Sequence, residues 1–152
     1  MASSTTQSPR REPVKQFSIF TENKVGRLNE VVNLLRTHDI HVMALTTMDT
    51  TDSAIIRVVV DDPDSAARLL REHGFPFNES ELLVVEMANE GDLNAVLSVL
   101  LAAEINIHYI YPFIFRPRER AALALNVEDM DLAARALSDR GHHVLMRTDI
   151  SR

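Results

Sequence analysis

The chain reads as an α+β protein of two ferredoxin-like βαββαβ units packed side by side, an antiparallel sheet carrying its helices on one face. Three observations predict this. The sequence repeats itself, the hydrophobic period switches between 2 and 3.6 in the same order in each copy, and the composition suits a packed core. Its 152 residues are 45% hydrophobic and 25% charged, enough to bury one domain or two small ones.

The repeat is anchored by Gly26-Arg27-Leu28-Asn29, which returns as Gly91-Asp92-Leu93-Asn94 at an offset of 65 residues (91 minus 26). Val31, Leu35 and Ile40 recur at that offset as Val96, Leu100 and Ile105. Further on, Asp62, Asp64, Ala66-Ala67-Arg68, Leu70 and Gly74 recur as Asp129, Asp131, Ala133-Ala134-Arg135, Leu137 and Gly141, now offset by 67 (141 minus 74). The two extra residues fall in Arg116-Pro117-Arg118-Glu119-Arg120, which replaces the polar turn Asp49-Thr50-Thr51-Asp52. A hairpin loop between two apolar runs absorbs such an insertion.

In the first copy Phe17 to Phe20 alternates as a half-buried strand, and Leu28, Val31, Val32 and Leu35 share one helix face. Strands at Val42 to Met48 and Ala54 to Val60 follow, the second β-branched enough for a central, covered position. Asp62 caps the next helix, Pro63 opens it and Gly74 stops it. A short edge strand near Phe75 to Phe77 ends the copy, since Pro76 removes a ladder donor. The second copy reads Leu82 to Met87, a helix from Leu93 to Ala103, strands Ile107 to Phe115 and Ala121 to Val127, a helix from Leu132 to Arg140, and His143 to Met146. The expected organisation is a disordered tail over 1–14, a first unit over 15–80 and a second over 81–148.

Composition excludes several classes. There is no cysteine, which removes thiol nucleophiles, disulfides and thiolate metal sites. A formal charge of −6 gives no overall attraction for nucleic acid or an anionic membrane. No apolar run reaches the roughly 18–20 residues of a membrane span and no hydrophobic signal core opens the chain, so a cytoplasmic location is expected.

The loop Thr21-Glu22-Asn23-Lys24-Val25-Gly26-Arg27-Leu28 joins the first strand to the first helix. Gly26 lets the backbone turn and approach a ligand, while the free N–H groups of a helix start attract a carboxylate. The Asn23 side-chain carbonyl or loop carbonyls could accept from an ammonium group, so the loop suits a zwitterion. The plainer reading is that Gly26 turns and Asn23 caps, and the loop alone favours it.

Glu22-Asn23-Lys24-Val25-Gly26-Arg27-Leu28, followed by Asp39-Ile40-His41-Val42, resembles the corresponding segment of the ACT domain, a regulatory amino-acid-binding module. The whole arrangement, from about Lys15 to Met146, is similar to small stand-alone proteins of two tandem ACT domains. The double occurrence of the loop, in register with Asp-Pro-Asp-Ser at 62–65 and Glu-Asp-Met-Asp at 128–131, strengthens it. The resemblance implies units with adjacent second strands, a continuous sheet and ligand between them. It also implies that the amino acid sits on this loop, with Asn23 and Gly26 as the matching residues and Lys24, Val25, Arg27 and Leu28 completing it. Val25 stands where the family usually has proline. The second loop keeps Gly91 and Leu93 but has Ala88 in place of Asn23, so one site, on the first loop, is expected, with the segment Asn89 to Leu93 left open.

Tyr109, Tyr111, Phe113 and Phe115 recur with period two and project from one face of a strand. Packing between the halves suits the phenylalanines, and the hydroxyls of Tyr109 and Tyr111 are candidates to bond a ligand at that boundary. RNA-recognition modules share this element order but need aromatics on the third strand, which has none in either copy. Of His38, His41, His73, His108, His142 and His143 no pair has helical zinc-ligand spacing, so solvated or packing roles are expected and no metal. No nucleophile elbow, phosphate loop or dinucleotide fingerprint occurs, so no cofactor and no catalytic residue is assigned. Asp61, Asp62, Asp64, Glu128, Asp129 and Asp131 suit helix starts, and Arg10-Arg11 and Arg116 to Arg120 suit solvated turns.

The expected function is that of a non-catalytic regulatory protein binding a free amino acid or similar small ligand between the units. It would act through a homodimer, a regulated enzyme or another protein. The alternatives are a small ferredoxin-like enzyme and a ligand-free protein-interaction module.

Overall fold

The computed structural model describes residues 12–151, so residues 1–11 of the expected tail lie outside the described residues. Two successive βαββαβ runs account for most of the chain: β1 (Val14–Glu22), α1 (Arg27–Thr37), β2 (Val42–Asp49), β3 (Ser53–Val60), α2 (Pro63–Glu72), β4 (Phe77–Met87), α3 (Asp92–Ala102), β5 (Ile107–Pro112), β6 (Ala121–Val127), α4 (Met130–Asp139) and β7 (Val144–Leu145), followed by a short α5 (Arg147–Ile150). Val14 already belongs to β1, and Pro13 forms a bridge to Met146, so residues 13 and 14 of the expected tail are part of the fold. The repeated aspartates cap as their positions predict: Asp62 accepts from the Ser65 N–H at 3.2 Å and Asp129 from the Leu132 N–H at 3.1 Å.

β4 differs from its sequence reading. Two strands, near Phe75 to Phe77 and from Leu82 to Met87, are expected, and the structure has one strand of 11 residues. The polar stretch Asn78-Glu79-Ser80-Glu81 interrupts the apolar alternation, yet it pairs with β1, Ser80 opposite Gln16 and Glu81 opposite Lys15. Tertiary pairing therefore overrides a weak local signal. The first half of β4 pairs with β1, and its second half pairs with β6 and β7. One strand thus ends the first copy and begins the second, giving the order β2-β3-β1-β4-β6-β5.

Strand alternation sorts the side chains into three cores. Phe17, Ile19, Ile56 and Val58 pack with Val31 and Leu35 of α1 and Leu69 and Leu70 of α2. Leu83, Val85 and Leu125 pack with Val96 and Leu100 of α3 and Leu137 of α4. The intervening positions Val14, Ala44, Val59, Leu82, Val84, Tyr111, Ala122 and Ala124 point to the opposite face and form a third core between the copies. The four long helices therefore share one face, as expected, while α5 adds Ile150 to the other.

The sheet curls until its edges touch. Ala44 on β2 bridges Phe113, just after β5, and the Ile114 N–H donates to the Met43 carbonyl at 2.8 Å. The second strands of the two copies are thus adjacent. Tyr109, Tyr111 and Phe113 face the inner core, whereas β5 ends at Pro112 and Phe115 lies exposed on the turn beyond it. Among the described residues no helix is long and apolar enough to cross a membrane.

Candidate ligand-binding site

The loop after β1 is tight because Gly26, immediately before α1, has φ of 90°, a conformation that favours glycine. No atom lies within 4 Å of where a Cβ would stand, so the backbone angle, not crowding, is the requirement. The exposed Asn23 Nδ2 donates to the Thr50 carbonyl at 3.5 Å, a long bond that ties the loop to the β2–β3 turn. Lys24 pairs with Glu22 at 2.6 Å. The hydrogen bond and charge of Lys24, with Arg27 adding to them, hold the Glu22 carboxyl below its ordinary pKa. Arg27 Nη1 donates to Glu30 at 3.0 Å, and its Nη2 lies 3.9 Å from Glu22. Val25 and Leu28 are exposed.

Beside this loop lies a cavity of about 540 Å³ whose lining includes Thr21, Glu22, Arg27, Glu30, Asp52 and Phe75. Of the loop residues singled out in the sequence, Arg27 lines it, while Asn23, Lys24, Val25, Gly26 and Leu28 are not in its wall. Thr21 also lines it, and its hydroxyl is buried without a hydrogen-bond partner. The cavity thus offers a guanidinium for a carboxylate, carboxylates for an ammonium group and a phenylalanine ring, with the unpartnered Thr21 hydroxyl buried behind its wall. Thr21 is named in the sequence only as the start of the loop, and Asp52 and Phe75 escape the reading because segments far from it in the chain deliver them. The one available signal is that Gly74 and Gly141 recur in register beside the two loops.

Tyr109 and Tyr111 sit elsewhere. The Tyr111 hydroxyl donates to Gln16 Oε1 at 2.6 Å, and Gln16 Nε2 donates to the Tyr109 oxygen at 2.7 Å and to Ser80 Oγ at 3.1 Å. The Arg57 guanidinium lies 4.1 Å from the centre of the Tyr109 ring. Gln16 is fully buried and precedes Glu22 by six residues on β1, about 20 Å along an extended strand. Burial first, then the nearby Tyr109, push the Tyr111 hydroxyl well above the ordinary tyrosine pKa, against a smaller opposite effect of Arg57. The structure therefore places the two candidate groups, the loop and the tyrosines, at separate positions.

In the second copy the carboxylate of Asp92 accepts from the N–H groups of Ala88 and Asn89 at 2.8 and 2.9 Å, so the chain's own side chain occupies the loop amides there. Those bonds hold the Asp92 carboxyl below its usual value. His41 donates its backbone N–H to buried Asp61 at 2.8 Å and places Nδ1 2.8 Å from the same carboxylate. Asn106 and Glu128 repeat this tie at 2.8 Å in the second copy, so these groups fasten a strand start to a strand end. No group of three or more metal-ligating side chains comes together among the described residues.

Comparison with known proteins fits this geometry. The family model "ACT domain pair" matches residues 13–140. Among solved structures, protein BT0572 from Bacteroides thetaiotaomicron is similar at 32% identity and a TM-score of 0.82, with 92% of this chain and 96% of that chain covered. The regulatory subunit of aspartate kinase from Thermus thermophilus, ligand-free, is similar in fold at 14% identity and a TM-score of 0.55, covering 84% of this chain and 91% of that one. The same subunit from Thermus flavus gives 15% identity, a TM-score of 0.57, and coverage of 84% and 92%. Among curated proteins none matches. With a repeated βαββαβ order on a shared strand and a family match over most of its length, the chain belongs to the ACT domain pair family.

Proposed function

We propose that this protein is a non-catalytic regulatory protein that binds a free amino acid in the cavity beside the first loop. The observation that carries the reading is the pairing, in one cavity of about 540 Å³, of the Arg27 guanidinium with the carboxylates of Glu22, Glu30 and Asp52. A zwitterion needs donors and acceptors at opposite ends, and a guanidinium has donors to spare after bonding one carboxylate. Occupation of the second loop's amides by Asp92 supports a single site of this kind. The two aspartate kinase relatives are regulatory subunits, which is consistent with a regulatory role here.

Ligand binding would favour one arrangement of the loop and the β2–β3 turn that Asn23 ties to it. The response depends on a difference in ligand affinity between two states of the chain. Its output passes to a second copy in a homodimer, to a regulated enzyme or to another protein. We assign the units as 15–80 and 81–148, sharing β4, and place the protein in the cytoplasm.

A thermal-shift screen against the free amino acids, with calorimetry on any hit, tests the reading. One selective ligand is expected, adding about 2.7 kcal/mol of apparent stability at roughly 100 times its dissociation constant. Arg27→Ala is then expected to weaken it about tenfold or more, the scale of one lost charge-assisted pair. Silence across the panel at millimolar concentrations would overturn the proposal, and an unaltered affinity in Arg27→Ala would overturn the site.

A further inference from the structure

The second copy has a cavity in the equivalent place, of about 710 Å³, and its charge is of the opposite kind. By the repeat, Arg140, Gly141 and His142 stand where His73, Gly74 and Phe75 line the first cavity. The inserted turn Arg116 to Arg120 takes the place of the acidic turn Asp49 to Asp52. Arg118, Arg120, Arg140, His142 and His143 all line the cavity, although the chain as a whole carries −6. The arginines of the inserted turn are exposed, as expected, and Arg118 and Arg120 border this cavity.

The wall also holds the carboxylates of Glu86 and Asp92, so its three arginines exceed its carboxylates by one. Asp92 accepts from its own loop amides, and Glu86 holds Arg120 at 3.1 Å. Arg118 lies 3.4 Å from Asp149 and donates toward His143 Nε2 at 3.3 Å. Arg140 has no ion pair among the described residues, where the pairs of the turn are those of Arg118 and Arg120. Arg118 and Glu119 both adopt left-handed backbone angles, φ of 56° and 64°, so the turn holds a conformation unusual for non-glycine residues.

We propose that this cavity binds the phosphoryl group of a small organic phosphate, independently of the amino-acid site. A carboxylate presents two acceptor oxygens and a charge of −1, whereas a phosphoryl group presents three acceptor oxygens and a charge near −2. The donors come from two segments: the inserted turn, and the stretch Arg140 to His143 that leads from the end of α4 into β7. Donors converging from two segments fit a tetrahedral anion, and the volume leaves room for the organic part.

Calorimetry of the full chain with pyrophosphate at low ionic strength tests this. Saturable binding is expected, weakened about tenfold or more in Arg140→Glu, the scale of a lost charge-assisted contact turned repulsive. Arg36→Glu, an equal change of net charge on the far helix α1, is expected to stay within about twofold of the parent, since exposed distant charges are screened. Arg27→Ala is expected to leave pyrophosphate binding unchanged, which separates this site from the first. Should Arg140→Glu fail to fold, the His142 and His143 ring resonances of the parent serve instead, and both are expected to move on adding pyrophosphate. Absence of saturable binding, equal losses in both charge variants, silent histidine resonances, or citrate binding as tightly as pyrophosphate would each overturn the proposal.

Discussion

Val84→Pro is expected to leave no folded protein at room temperature. Val84 is fully buried near the middle of the second half of β4, opposite Ala124 of β6 on one side and Leu145 of β7 on the other. Proline has no N–H for the ladder, and β4 is flanked on both sides here, so the substitution removes a ladder hydrogen bond at a position where proline is essentially not accommodated. Loss of the inward valine packing against Leu82, Ala122 and Tyr111 adds a cavity term. A small domain typically has about 5–15 kcal/mol in total. Because β4 also pairs along its first half with β1, the first copy loses the support of its own last strand. Far-UV circular dichroism with urea titration checks this, with Val84→Ala as a milder control that should unfold in a single transition at lower denaturant. A Val84→Pro chain that keeps half of the parental urea dependence, one copy folded and one not, would show that the copies are independent and that the shared strand does not couple them.

That coupling is also where the sequence is least informative. The helices are legible because each carries its own punctuation: Asp62, Pro63 and Gly74 in one copy, Asp129 and Gly141 in the other, each in its expected place. The continuous β4 is not, since Asn78 to Glu81 are strand residues only through their pairing with β1. The four residues of α5 are too few to show a period. The inward face of Tyr109 and Tyr111 is readable from their spacing, but their partner Gln16 lies 93 and 95 residues away and nothing local marks it. At the first cavity Arg27 is legible from the loop, whereas Asp52 and Phe75 are gathered by the fold. The convergence of Arg118 and Arg120 with Arg140, His142 and His143 is likewise a consequence of the hairpin lying beside the α4 terminus.

Gln16→Leu is expected to destabilise the protein by about 2–4 kcal/mol, the cost of leaving two polar partners in or beside a core without their bonds. Gln16 comes from the first copy and both tyrosines from the second, so this network is a polar tie across the inner core. Leucine keeps much of the volume, so the loss reports the unpaired Tyr111 hydroxyl and the lost bond to Tyr109 more than a void. Tyr111→Phe strands Gln16 Oε1 instead, at about 1–3 kcal/mol. The double variant Gln16→Leu with Tyr111→Phe removes both ends of one bond and is expected to cost less than the two singles together, by about 0.5–3 kcal/mol. Strict additivity in urea unfolding would mean the bond contributes nothing to the tie. The same hydroxyl also fixes an alkaline limit. Tyr111 keeps its proton in the folded chain above the pH at which the unfolded chain loses it, because burial raises its pKa. Its contribution is therefore complete below the ordinary tyrosine value of about 10 and declines as the pH rises beyond that, by about 1.4 kcal/mol per pH unit for one proton released on unfolding. Tyr111→Phe lacks that proton, so its stability should fall less steeply than the parent's from pH ~10 upward; parallel slopes would place the alkaline sensitivity on another group.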